Sequence, residues 1–175
     1  MRRTLRLLIV GLLPLAGTLA CASVNVAPSS IKVIKAAVEA KLPAIAARFE
    51  GGTPSADAIY ATLEAYLAAN PEFFGATFAV EPARSGTAAG LSPYVFRKAG
   101  RFERKDLAQV PGYDYASQPW FAEPRRFGMP RWSAPYFDEG GGDINMITYS
   151  IPVYTGGVFL GILTTDVGID GRPAE

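Results

Sequence analysis

Ile144-Asn-Met-Ile-Thr-Tyr-Ser-Ile-Pro-Val-Tyr154, Thr155-Gly156-Gly157 and Val158-Phe-Leu-Gly-Ile-Leu-Thr-Thr-Asp-Val167 form two β-rich runs around a glycine-containing connector. A connector of this length and composition closes a hairpin, so the two runs are antiparallel neighbours. Two earlier runs, Phe73 to Val80 and Tyr94 to Arg97, have the same aromatic and β-branched character and add to the sheet. Simple alternation along Val158, Leu160, Ile162, Thr164 and Asp166 puts Asp166 on one face with three apolar residues. A carboxylate there needs a cation, hydrogen-bond donors or a ligand.

Upstream the period changes. Ile31, Ile34, Val38, Leu42, Ile45 and Phe49 recur at helical steps, with Ser30 as the expected N-cap and Gly51-Gly52 as the stop. Pro43 in the middle predicts a kink or a break. A second helix, capped by Ser55, runs through Ile59, Leu63, Tyr66 and Leu67 to Asn70-Pro71. Residues 106 to 143 hold both Trp, five of the 14 Pro and three of the eight Tyr without a period, and so long a stretch in a compact domain is usually functional. The basic run Arg97, Lys98, Arg101, Arg104 and Lys105, interrupted by Glu103, reads as a solvated hairpin face. Two helices followed by an antiparallel sheet with a long inserted loop give an α+β class.

Composition narrows the chemistry. The chain has 175 residues, 17 Lys+Arg against 16 Asp+Glu, one Cys and no His. Without His there is no His-based catalytic triad or His zinc site, and one Cys excludes an intrachain disulfide. Arg2, Arg3 and Arg6 precede an uncharged apolar run from Leu7 to Leu19 and the small residues Ala20-Cys21-Ala22, the order of an export signal over residues 1–22. Cleavage has two candidate positions. Ala20-Cys21-Ala22 fits a cut before Ser23, whereas Thr18-Leu19-Ala20-Cys21 resembles a bacterial lipobox, with the cut before Cys21 and a lipid on that residue; the second is preferred because Cys21 is the sole Cys. Residues 23–29 then form a linker. Loss of the three arginines turns a formal charge of +1 into −2, which argues against nucleic acid as a partner.

Four motifs follow one another: Tyr113-Asp-Tyr-Ala-Ser-Gln-Pro-Trp-Phe121, Pro130-Arg-Trp-Ser-Ala-Pro-Tyr-Phe-Asp138, Thr148-Tyr-Ser-Ile-Pro152 and Gly161-Ile-Leu-Thr-Thr-Asp166. In this order they resemble the Cache family of extracytoplasmic sensor domains, in particular the ligand-binding module of double-Cache receptors. The resemblance covers residues 30–168 as a single module and leaves 169–175 as a tail. It implies a PAS-like fold in which a long N-terminal helix packs on an antiparallel sheet and a small molecule sits between the sheet and the long loop. The positions that bind ligand in the amino-acid-recognising branch fall on Tyr113, Gln118, Trp120, Phe121, Tyr136, Asp138 and Asp166. One departs from the pattern: Gln118 replaces the Arg that grips a ligand carboxylate, and an amide lacks the charged fork of a guanidinium. Arg125, Arg126 and Arg131 are the remaining candidates for that role.

The resulting expectation is a non-enzymatic, periplasmic or otherwise extracytoplasmic binding domain. Its ligand carries an amine held by Asp138 and Asp166 beside aromatic walls, and it needs no cofactor or metal. A membrane signalling protein is the expected partner, and contact with the membrane comes only through a lipid anchor or an uncleaved signal. With no second apolar span before Glu175, the chain reads as a stand-alone domain or a detached sensor. The rival readings are a lipoprotein solute-binding protein for transport and a hydrolase using the two acids. Blander roles also compete: Trp120 and Trp132 as core anchors, Asp138 as the cap of the turn into Gly140-Gly141-Gly142, and Asp166 as a structural acid. Asp138, Glu139 and Asp143 lack the alternating spacing of a calcium loop.

Overall fold

The structure is a computed structural model that describes residues 28–169. Segment 1–22 with Cys21 and both cleavage positions, residues 23–27 of the linker and the tail from residue 170 lie outside the described residues.

Helix α1 runs from Pro28 to Ala46 and passes into a 3-10 turn, Ala47–Phe49. Ser30 is therefore inside the first helical turn and is not its cap. Pro43 does not break the helix either. It removes one backbone donor, but Val38, Leu42, Ala46 and Phe49 stay buried on one face, and burial of that face outweighs the lost bond. Helix α2, Ala56–Ala68, starts as expected, with Ser55 Oγ accepting from the Ala58 N–H at 3.3 Å.

Seven strands form one antiparallel sheet: β1 Gly75–Val80, β2 Pro93–Lys98, β3 Arg101–Asp106, β4 Arg131–Trp132, β5 Tyr136–Phe137, β6 Asn145–Thr155 and β7 Val158–Gly168. Their order is β3-β2-β1-β7-β6-β4, with β5 also paired to β6. The β6–β7 hairpin at the centre is the one expected from Thr155-Gly156-Gly157, whose two glycines take positive φ. On one face α1 and α2 pack through Leu42, Ile59 and Leu63 against Phe78, Ile151 and Leu163. On the other, Ala79, Tyr94, Phe96 and Ile162 meet Tyr115, Trp120 and Phe121.

The basic run is less solvated than expected. It does form the β2–β3 hairpin, but the Arg97 guanidinium donates to Leu67 O at 2.6 Å and to Phe73 O at 2.9 Å, tying β2 to the end of α2 and to the residues before β1. Arg104 forks onto Glu64, and Lys105 Nζ donates to Gly141 O at 2.7 Å. The long segment 106–143 is also more ordered than its lack of period suggests. It holds two 3-10 turns, helix α3 (Pro119–Phe127) and the short β4 and β5. Pro119 opens α3, and Gly128, in the left-handed region, closes it.

Simple alternation fails in β7. Val153 pairs with Gly161 but Tyr154 pairs with Phe159, so Leu160 is an extra residue, a β-bulge. Leu160 turns to the helix face with Leu163 and Val167, while Ile162 lies on the opposite face. Asp166 thus shares its face with Ile162 and Thr164, and Leu160 is not among its neighbours. Gly161 allows the bulge to press against β1, since a Cβ there would come within 2.2 Å of Ala79 O. Among the described residues no helix is long and apolar enough to cross a membrane.

Candidate functional site

The face opposite the helices carries the polar groups. Along β6, Met146, Thr148 and Ser150 point to this face, and β7 sets Asp166 directly across from Thr148. Asp166 is 4% exposed. Its Oδ1 accepts the Thr148 hydroxyl at 2.8 Å, and Thr148 Oγ1 in turn meets the Tyr136 hydroxyl at 2.8 Å. Burial pushes the Asp166 carboxyl up to about 7, with repulsion from Asp138 second and the Thr148 hydroxyl pulling the other way.

Asp138 follows β5 and caps its loop, as the bland reading expected, but it does more. Oδ2 accepts from the Gly142 N–H at 2.8 Å, and Oδ1 accepts the Tyr113 hydroxyl at 2.8 Å. Trp120 Nε1 donates to that same hydroxyl at 3.3 Å. Burial raises the Asp138 carboxyl above its ordinary value, partly offset by the Gly142 N–H, the Tyr113 hydroxyl and the charge of Lys105. Burial also raises the phenols of Tyr113 and Tyr136, with the nearby acids adding to it, so both stay protonated donors. Two buried acids therefore sit close enough to repel each other, and neutral groups supply the hydrogen bonds described for both.

Two cavities open over this network. One, of about 470 Å³, is lined by Gln118, Trp120, Glu123, Arg131, Trp132 and Ser150 among others; the second, of about 540 Å³, includes Tyr113, Asp138 and Glu139. Gln118 and Tyr136 line both. Gln118 ends the turn before α3 and donates from Nε2 to Asp114 O at 3.3 Å. Phe121 lies apart from both: it is fully buried and packs edge-on against Tyr115, Trp120 and Phe159. Asp166 lies beneath Thr148 and lines neither cavity.

Of the three arginines, only Arg131 lines a cavity. Arg125 bonds to Glu81 at 2.7 Å, and Arg126 lies over Phe127. Trp132 turns to the helix layer, donating to Glu39 at 2.7 Å and tilting against Tyr149. The residues missed from sequence are Thr148, Ser150 and Tyr94. The first two sit at same-face spacing within Thr148-Tyr-Ser-Ile-Pro152, and that spacing is the signal that points to them. Tyr94, fully buried on β2, brings its hydroxyl close enough to Asp166 to favour the carboxylate, though outside strict hydrogen-bonding geometry. Among the described residues no group of three or more His, Cys, Asp or Glu is placed to hold a metal ion.

Comparison with known proteins agrees with this architecture. A family model described as methyl-accepting chemotaxis protein-like, first PDC sensor domain, matches residues 59–171. No curated protein sequence matches. Among solved structures, the extracellular domain of the histidine kinase soHK1S-Z6 is similar with a TM-score of 0.70 and 26% identity, over 81% of this chain and 56% of that one. The ligand-binding domain of the Campylobacter jejuni chemoreceptor Tlp3, in complex with L-norvaline, gives a TM-score of 0.59 and 14% identity over 80% of this chain and 53% of that one. The ligand-binding domain of Mlp24 with asparagine gives 0.57 and 16% over 81% and 52%. The chain spans little more than half the length of the receptor domains it matches.

Proposed function

Because the chain belongs to the PDC sensor domains of the methyl-accepting chemotaxis protein-like family, a Cache-type family, we propose that it senses a small amine-bearing molecule outside the cytoplasm and reports it to a membrane signalling protein. The observation that carries this reading is the pair of buried acids, Asp138 and Asp166, held by hydroxyl and backbone donors under a wall of Tyr113, Trp120 and Tyr136. A ligand ammonium supplies Asp166 with the positive charge that its neutral donors do not, beside the charge that Lys105 already offers Asp138. The aromatic faces beside it add cation–π attraction. Gln118, at the position where an Arg would grip an α-carboxylate, weighs against ordinary amino acids as ligands.

The pH dependence follows from Asp166, whose carboxyl is raised from 3.8 to about 7. Below about 7 the free protein holds a proton there that an arriving cation must displace. Affinity for an alkylamine is therefore expected to rise about tenfold between pH 6 and pH 8 and to level off above that. Calorimetric titrations at three pH values check this; a flat profile would remove Asp166 from the ammonium site.

The membrane attachment proposed for this sensor is a lipid on Cys21. Radiolabelled palmitate is expected in the wild-type chain and not in Cys21→Ser. An intact mass that begins at an unmodified Ser23 would assign the other cleavage position.

A further inference from the structure

The cavity beside Trp120 suits an uncharged group. Pro119, Trp120, Ala134, Pro135 and Tyr136 make its apolar walls. Among the described residues its charged lining is limited to Glu123 and Arg131, which are partly exposed and pair with each other at 3.1 Å. At about 470 Å³ it exceeds the roughly 150 Å³ of an apolar cavity that holds a benzene ring. The flat faces of Trp120 and Tyr136 favour a planar occupant.

One lining group lacks a partner. Ser150 on β6 is 1% exposed, and its hydroxyl makes no hydrogen bond within the protein. Its neighbours show the contrast. Thr148, on the same face of β6, is engaged by Tyr136 and Asp166, and Thr164, across the ladder from Ser150, accepts from the Thr77 N–H at 3.2 Å. A buried hydroxyl without a partner costs stability, and at a cavity a ligand can supply what the protein does not. Because a serine hydroxyl both donates and accepts, a neutral hydroxyl on the ligand satisfies it in either sense.

We infer that this cavity takes the uncharged arm of the ligand, an aromatic ring whose hydroxyl meets Ser150, and that the ligand is a hydroxylated arylalkyl monoamine. This rests on the amine reading above and specifies the ligand class: Gln118 and Tyr136 line both cavities, so a molecule with its amine beside Asp138 in one continues into the other. A diamine fits poorly, because its second ammonium would meet Glu123 already engaged with Arg131.

Calorimetric titration of the full chain with tyramine and its meta isomer, phenethylamine, cadaverine and para-ethylphenol tests the inference. At least one hydroxylated amine should bind about tenfold tighter than phenethylamine, the gain from satisfying a buried hydroxyl, and cadaverine should bind about tenfold more weakly than phenethylamine. In Ser150→Ala the hydroxylated amines should fall to the level of phenethylamine. Should that variant fail to fold in a thermal unfolding control, Ser150→Cys, close in size and a weak donor, carries the same comparison. Phenethylamine or cadaverine binding as tightly as both hydroxylated amines, or a hydroxyl preference that survives in the variant, would overturn the inference and leave the amine reading standing. Para-ethylphenol binding as tightly as tyramine would overturn the amine reading and leave the ring site in place. Binding of none of the probes would overturn both.

Discussion

Replacing either Asp138 or Asp166 by Asn is expected to weaken binding of an amine ligand by about 2 to 5 kcal/mol, because the ligand cation loses a buried charge partner. The fold should survive in both variants. In Asp138→Asn, the amide oxygen can still accept from Gly142 N while its NH₂ turns toward Tyr113, keeping the loop closed. In Asp166→Asn, the amide oxygen can still accept from Thr148. The sign of the stability change separates binding from structure. The Asp166 carboxyl is raised above its ordinary 3.8, so its contribution to stability is full below about 4 and is lost as the pH rises through about 7. Asn removes that loss. The melting temperature of Asp166→Asn at pH 8 should equal or exceed the wild-type value, with a flatter profile between pH 4 and pH 7. A lower melting temperature across the whole range would mean that Asp166 serves a structural network.

The second large effect concerns specificity. Gln118→Arg is expected to confer binding of ordinary L-amino acids, improving affinity by about 1.5 to 3 kcal/mol, the size of a hydrogen bond to a charged group. The position suits this role: Gln118 lines both cavities, its amide is held only by Asp114 O, and it precedes Trp120 on the opening of α3. A guanidinium there presents two parallel charged N–H donors, where the amide, with one of its two N–H groups on Asp114 O, has one neutral donor left. Titration of wild type and variant with norvaline and asparagine decides the matter. Submicromolar binding of several L-amino acids by the wild type would contradict it.

The first two helices were legible because their burial is one-sided and therefore periodic, with Leu42 and Ile59 pointing to the sheet; the central hairpin, buried on both faces, was legible from its β-rich runs on either side of Thr155-Gly156-Gly157. Helix α3 was hidden because Pro119 and Pro124 fall within nine residues and its buried side chains, Trp120, Phe121 and Pro124, do not repeat long enough to show a period. The bulge was hidden for a different reason. A strand's pattern has a period of two, and one extra residue inverts everything beyond it without altering composition; Gly161, lying against Ala79 O, was its only trace. Most of the expected site residues do converge, Tyr113, Trp120 and Asp138 through one chain of hydrogen bonds and Tyr136 and Asp166 through another. Thr148, which joins the second chain, is not legible as a site residue from sequence, since a hydroxyl's partner depends on which strand lies opposite.

The same bulge gives the β6–β7 hairpin two mechanically separate parts. From Gly161 onward β7 is clasped on both sides, by β1 and by β6, and that clasp sets where Asp166 sits. The tip from Tyr154 to Phe159 pairs only within itself, and Tyr154, Gly156, Gly157 and Val158 are exposed. Length at the tip is thus uncoupled from alignment at the binding face, so a reporter peptide spliced between Gly156 and Gly157 has a natural insertion point, on a stem whose phase is reset before it reaches the acids.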